Sequence, residues 1–180
     1  DVEIVRAKIV VKSVKSKMID DIAYIKITQF KSRTTEELLK AMRKLNKEEP
    51  IGLILDMRNN PGGLLDQAVG VVDAFIKEGK IVYTEGRTRQ SEMKFMAKDQ
   101  STEPEMPVVV LINGGSASAS EIVAGALKDH KAALIVGTRS FGKGSVQTVL
   151  PLSNDGGLRI TTALYFTPSG TSIQASGIEP

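Results

Sequence analysis

Short apolar runs separated by glycine- and proline-rich turns recur along the chain, and several of the segments between them carry apolar residues at helical spacing. Val2 to Val14 and Ile22 to Ile27 are rich in valine and isoleucine with partial alternation, which predicts strands. Leu38, Ala41, Met42 and Leu45 fall at i, i+3, i+4 and i+7 behind Thr34 and Glu37, a pair with capping-box spacing. That pattern predicts a helix with one apolar stripe lying on a sheet. The branched run Ile51 to Met57 reads as a buried strand closed by the turn-rich Arg58 to Gly63. A helix over Leu64 to Lys77 follows, stopped by Gly79, and then a strand over Lys80 to Thr84.

Glu85 to Met106 is polar and without period, as a long loop or hairpin would be. Val108 to Ile112 is a further buried-strand signal, leading through NGGSASASE into a helix that runs to about Lys128. Ala132 to Val136 predicts one more strand. The stretch Ser145 to Phe166 alternates and contains NDGG at Asn154 to Gly157, which predicts an antiparallel hairpin. Strands alternating with helices imply an α/β core with parallel strands, to which this hairpin is added.

Composition narrows the function classes. With 180 residues and 41% apolar content the chain is long enough to bury a full core, as one domain or as one compact domain with attached pieces. The 24 basic and 21 acidic residues are interspersed, with no basic stripe for nucleic acid. The absence of cysteine removes thiol nucleophiles, disulfides and cysteine-bound zinc, and a single histidine argues against a histidine-rich metal site. No apolar run is long enough to span a bilayer, and the N-terminus has no secretory signal. A chain that starts at Asp1 and stops after GIEP reads as a piece of something longer.

Three strand ends open into glycine- or serine-rich loops: Arg58 to Gly63, Asn113 to Ser120 and Thr138 to Gly144. Ligands collect outside such strand ends in α/β sheets, so the three loops imply one shared site. In the middle loop a serine at a strand-to-helix turn is exposed, with unpaired N–H groups and a positive helix dipole beside it, as a nucleophile that generates an oxyanion requires. Capping is the simpler role for a serine there, since Ser118 and Glu121 have capping-box spacing, and the local chemistry does not choose among Ser116, Ser118 and Ser120.

A serine hydroxyl needs a base. His130 falls near the far end of the following helix, three or more turns from Ser118 at ~1.5 Å per residue, which disfavours a histidine triad. Lys143, flanked by Gly142 and Gly144, is the other base; lysine serves when burial and lost hydration lower its proton affinity, and otherwise it is a solvated loop residue. Gly137 to Lys143 also satisfies the phosphate-loop spacing, but Gly144 stands where a magnesium-binding hydroxyl belongs, and a strand-like stretch follows in place of a helix. Gly62 and Gly63 leave room for backbone N–H groups to face a cleft, as an oxyanion hole needs, or simply make a tight turn.

LDMRNNPGG at Leu55 to Gly63, NGGSASASEIVAGALKD at Asn113 to Asp129 and GTRSFGKGSVQTVLPL at Gly137 to Leu152 together resemble the C-terminal processing peptidases, or tail-specific proteases, in order and spacing. The resemblance extends to the QASGIEP ending. It implies a crotonase/Clp-protease-like α/β core, with Ser118 as nucleophile, Lys143 as general base, Gln147 helping to hold the lysine, and the N–H groups of Gly63 and Ala119 as oxyanion hole, Gly62 being the close alternative. It implies endopeptidase cleavage near protein C-termini by a Ser-Lys dyad, without metal or cofactor. The implied partners are protein or peptide substrates with apolar C-termini, not nucleic acid and not an inserted membrane, and the implied location is extracytoplasmic, periplasmic or cell-envelope. The family carries a PDZ domain ahead of this core, so residues 1–15 read as the return segment after it and 16–180 as the core. A non-catalytic ligand carrier and a crotonase-type acyl-CoA enzyme are the alternatives on the same fold; a serine and a lysine in place of paired carboxylates argue against the second.

Overall fold

A computed structural model describes residues 11–88, 92–153 and 156–180. In chain order the strands are β1 (Val14–Ile19), β2 (Ile22–Ile27), β3 (Gly52–Asp56), β4 (Lys80–Gly86), β5 (Lys94–Met96), β6 (Val108–Ile112), β7 (Leu134–Gly137), β8 (Ser145–Pro151) and β9 (Gly157–Phe166). The helices are α1 (Thr34–Leu45), α2 (Leu65–Asp73) and α3 (Ala119–Asp129). Among the described residues one sheet runs β1-β2-β3-β6-β7 and a second runs β5-β4-β9-β8. Strands β2, β3, β6 and β7 are mutually parallel, β1 is antiparallel to β2, and the second sheet is antiparallel throughout.

The α/β class and the C-terminal hairpin are as the sequence pattern implies. The central strands β3 and β6 are short, branched runs whose Leu53, Leu55, Val108, Val110 and Ile112 are all buried, whereas β7 lies at the sheet edge with Leu134 and Val136 exposed. Helix α3 is buried along nearly its whole length, Ala119 to Leu127, and packs on α2, β4 and β7. It has no polar face to read, and its small residues let it sit inside the molecule. Within the Glu85 to Met106 stretch lies β5, which pairs antiparallel with β4.

Four expectations change. The strand expected over Val2 to Val14 lies mostly outside the described residues, and the first strand seen, β1, begins at Val14. Of its residues only Val14 is buried, so KSKMI shows no alternation to betray an edge strand. Helix α2 stops at Asp73, not Lys77. Ala74, Phe75 and Ile76 are buried one after another, which a one-faced helix does not allow, and the chain tightens through Phe75 N–H to Val72 O (2.8 Å). Asp73 then accepts the Lys98 N–H at 2.6 Å.

Thr34 and Glu37 do not form a capping box, because Thr34 already lies within the helix, after Arg33 as N-cap. Both are used by the chain entering β1: Thr34 Oγ1 meets Ser13 Oγ at 2.8 Å, and Glu37 Oε2 accepts from the Ser13 N–H (2.8 Å), its hydroxyl (2.9 Å) and the Val14 N–H (3.1 Å). The strand expected over Ala132 to Val136 starts at Leu134 and ends at Gly137. The hairpin turn at Asn154 and Asp155 lies outside the described residues.

The layered core sets a contrast in stability. Leu55 is 0% exposed and Leu134 66% exposed. Leu55→Ala is expected to cost about 2–5 kcal/mol and Leu134→Ala about 0.5 kcal/mol or less, read from urea denaturation midpoints at constant slope.

Candidate active site

The loops after β3, β6 and β7 lie side by side because these strands are parallel neighbours. The first loop is set by Asp56, which is fully buried at the end of β3. Arg58 folds back onto it, with N–H and Nε on Oδ1 at 2.9 and 3.0 Å and Nη2 on Oδ2 at 2.8 Å. The Tyr24 hydroxyl (2.6 Å) and Lys26 Nζ (3.3 Å) complete its shell. Burial by itself raises the Asp56 carboxyl, yet the hydrogen bonds from Arg58, Tyr24 and Lys26 outweigh it and hold the group well below the usual carboxylate range. Burial, and then the adjoining carboxylate, push the Tyr24 hydroxyl up.

Two asparagines join the first loop to the middle one. Asn59 and Asn113 exchange hydrogen bonds, Asn59 N–H to Asn113 Oδ1 at 2.9 Å and Asn113 Nδ2 to Asn59 Oδ1 at 3.0 Å. The buried Asn60 donates to Ile27 O (2.9 Å), while its own carbonyl accepts the Ala117 N–H and the Ser120 hydroxyl, both at 3.0 Å. Asn60 Oδ1 also accepts the Gly62 N–H at 2.9 Å. The Gly62 donor is therefore engaged, whereas the N–H groups of Gly63 and Ala119 have no acceptor among the described residues. Gly62 has φ +96°, and a Cβ there would lie 2.6 Å from Ala117 O and 2.9 Å from Ser118 Cβ. Only glycine lets this loop touch the serine turn.

The structure separates the three serines that the local sequence left equivalent. Ser116 and Ser120 are fully buried, and their hydroxyls tie the middle loop to Met57 O (2.8 Å) and Asn60 O (3.0 Å). Ser118 is half-buried and lines a cleft, with backbone angles φ 56° and ψ −113°. That region is sparsely populated for any residue with a Cβ and costs on the order of 1–3 kcal/mol, which the surrounding bonds must offset.

Those bonds converge on Glu121, 0% exposed in the first turn of α3. Its Oε2 accepts the N–H groups of Ser118 (2.7 Å) and Lys143 (2.9 Å); its Oε1 accepts the Gly142 N–H and the Ser140 hydroxyl, both at 2.6 Å. One carboxylate thus fixes the serine turn and the lysine loop together. The lysine loop is also fastened from the far side. Gly142 O accepts the Ala175 N–H (2.9 Å), the Gly144 N–H donates to Gln174 Oε1 (3.0 Å), and Ser140 Oγ accepts the Ile178 N–H (2.7 Å). A Cβ on Gly144 would lie 2.4 Å from Gln174 N, so the two segments are in backbone contact.

Lys143 is half-buried and lines the same cleft of about 420 Å³ as Gly62, Gly63, Ser118 and Gln147. Gln147 is exposed on β8, and its amide donates to Thr161 Oγ1 at 2.6 Å and to Ser145 Oγ at 3.4 Å, not to Lys143. His130 caps the opposite end of α3, with Nε2 2.7 Å from Lys80 O, and takes no part in the cleft. A second hollow of about 390 Å³, between α1 and residues 101–106, contains none of these residues. Four of the sequence-derived site residues, Gly63, Ser118, Lys143 and Gln147, line this one cleft, and Ala119 follows Ser118 directly at the start of α3. Glu121, Asn60 and the Asn59–Asn113 pair are the additions. For Glu121 the only sequence signal was its spacing from Ser118, which shows one of its four bonds.

Residues 21–180 match the profile of peptidase family S41. The chain belongs to this family. It is 55% identical, over 100% of its own length and 42% of the relative's, to the carboxy-terminal-processing protease of Bartonella bacilliformis. To the probable CtpA-like serine protease of Staphylococcus haemolyticus it is 40% identical, over 100% of this chain and 36% of that one. Its structure superimposes on the photosystem II D1 C-terminal processing protease with a TM-score of 0.88 at 36% identity, covering 97% of this chain and 48% of that one. The chain spans less than half the length of each of these relatives.

In this S41 chain the first loop depends on the charge of Asp56. Its folded-state carboxyl titrates below its ordinary value of 3.8. The stabilisation it provides is therefore complete above about pH 5 and is lost as the pH falls through and below about 4. Asp56→Asn is expected to lower stability at pH 7 and to flatten the acid limb, checked by thermal unfolding between about pH 7 and about pH 2.

Proposed function

We propose that this chain is the catalytic core of a serine endopeptidase that cleaves proteins near their C-termini by acyl transfer, with Ser118 as nucleophile and Lys143 as general base. The observation that carries the reading is the shared cleft: Ser118 on a strained turn and Lys143 on the adjacent loop, both tied through their backbones to Glu121. The free N–H groups of Gly63 and Ala119, at the N-terminus of α3, supply the oxyanion hole, in preference to the engaged Gly62.

The neutral Lys143 amine takes the proton from Ser118 Oγ as the oxygen attacks the scissile carbonyl carbon. The carbonyl electron pair moves onto oxygen, where the Gly63 and Ala119 N–H groups hold it. Collapse of the tetrahedral species breaks the C–N bond, and the Lys143 ammonium protonates the leaving amine. Water then repeats the sequence on the acyl-enzyme, releasing a carboxylic acid and restoring Ser118. Gln147 Oε1, on the cleft wall, is the acceptor for the lysine once it is protonated, while the Gln147 amide is held by Thr161. Substrates with apolar C-termini and an extracytoplasmic location belong to this reading through the family resemblance.

Cleavage of a peptide with an apolar C-terminus by the whole protein tests the proposal. Ser118→Ala and Lys143→Arg are each expected to reduce kcat by at least ~10³-fold, since arginine keeps the charge but cannot act as a base. A serine acyl adduct should be visible by mass spectrometry in the wild type alone. Cleavage at the wild-type rate by either variant would exclude the dyad.

A further inference from the structure

The cleft is lined by two cations, Lys143 and Arg159, and by no acidic side chain. The chemistry above uses Lys143 and leaves Arg159 unassigned. Arg159 lies on β9 directly opposite Val149 of β8, one alternation beyond the Gln147–Thr161 pair. Opposed residues share a face and faces alternate along a strand, so Arg159 stands on the face of the hairpin that carries Gln147 towards the cleft. Among the described residues its guanidinium has no ion-pair partner.

The surrounding charges reinforce that cation. Glu121 is saturated by four donors, and Asp56 is held by Arg58 and Lys26. The free N–H groups of Gly63 and Ala119 and the N-terminus of α3 add positive potential in the same place. A cleft of one sign attracts the opposite charge, and the planar guanidinium fork matches a carboxylate through two parallel hydrogen bonds.

We propose that Arg159 is a specificity-determining residue that binds a carboxylate of the peptide substrate. The proposal rests on the acyl-transfer reading. The level of Arg159 on the hairpin is that of Val149, four residues past Ser145, or ~14 Å at ~3.4 Å per residue, and the arginine side chain reaches back over part of that span. An extended substrate would therefore carry the carboxylate about two to four residues from the bond that is cut. The chain terminus or an acidic side chain could provide it.

One apolar peptide is compared in three forms: with a free C-terminal carboxylate, with a C-terminal amide, and as the amide with an aspartate three residues beyond the cut. The whole protein should favour at least one carboxylate form over the plain amide by about 10- to 100-fold in kcat/KM, mainly through KM. Preference for the free acid identifies the terminus as the source, and preference for the aspartate form identifies a side chain. Arg159→Gln should bring the ratio close to one, and Arg159→Lys should restore part of it. Affinities of the same peptides for the Ser118→Ala variant give the ratio without turnover. Equal values for all three forms in the wild type, or a preference undiminished by Arg159→Gln, overturn the proposal. Undiminished cleavage by Ser118→Ala would instead overturn the acyl-transfer reading, whatever the ratio.

Discussion

The buried carboxylate of Glu121 is the interaction on which the geometry of the cleft depends. Removing such a group from water costs several kcal/mol, and it is tolerated only where hydrogen bonds fill its lone pairs. Here four donors do so, from the serine turn, the lysine loop and Ser140. Two loops separated by more than twenty residues thereby share one acceptor, and a shift in either leaves a buried oxygen short of a donor. The strained angles of Ser118 persist because its N–H is held in this way.

Around that centre the fold is a sequence of clasps between neighbouring strand ends. Asp56 with its cations shapes the loop after β3, the asparagine bonds join that loop to the one after β6, and Glu121 joins the latter to the one after β7. Residues 174–178 then grip the lysine loop from outside through Gly142, Gly144 and Ser140. The clasps are polar, and those made by Asp56, Asn60 and Glu121 are buried, so a defect in one of these is costly. The parallel order β3-β6-β7 is what makes these three loops neighbours in the first place.

Much of this was readable from the sequence where one physical rule dominates. The buried parallel strands announced themselves as branched apolar runs, and α1 as a one-sided stripe. Edge strand β1 did not, because exposed Lys15, Ser16 and Lys17 carry no pattern of burial. Helix α2 was read too long because continued hydrophobicity through Ile76 marks burial on all sides as readily as a helix face. At the site, spacing located the loops and the resemblance assigned roles, but local chemistry could not separate Ser116, Ser118 and Ser120. Their difference lies in long-range partners, Met57 O and Asn60 O, which no local motif encodes. Likewise Asn60 takes the N–H of Gly62 and not that of Gly63, a difference set by the fold of the loop.

If Glu121 sets the serine turn and the lysine loop against each other, replacing it by an isosteric amide must impair the reactivity of Ser118 without touching either residue. The direct measurement is the rate at which a fluorophosphonate labels Ser118, read by intact mass, in the wild type and in Glu121→Gln, at a temperature where both keep native near-ultraviolet circular dichroism. The amide presents an NH₂ to donors that need an acceptor, and misplacement on the scale of an ångström lowers reactivity by about 10²-fold. Labelling of the folded variant slowed by about that factor is the expected result; labelling at the wild-type rate would contradict the account.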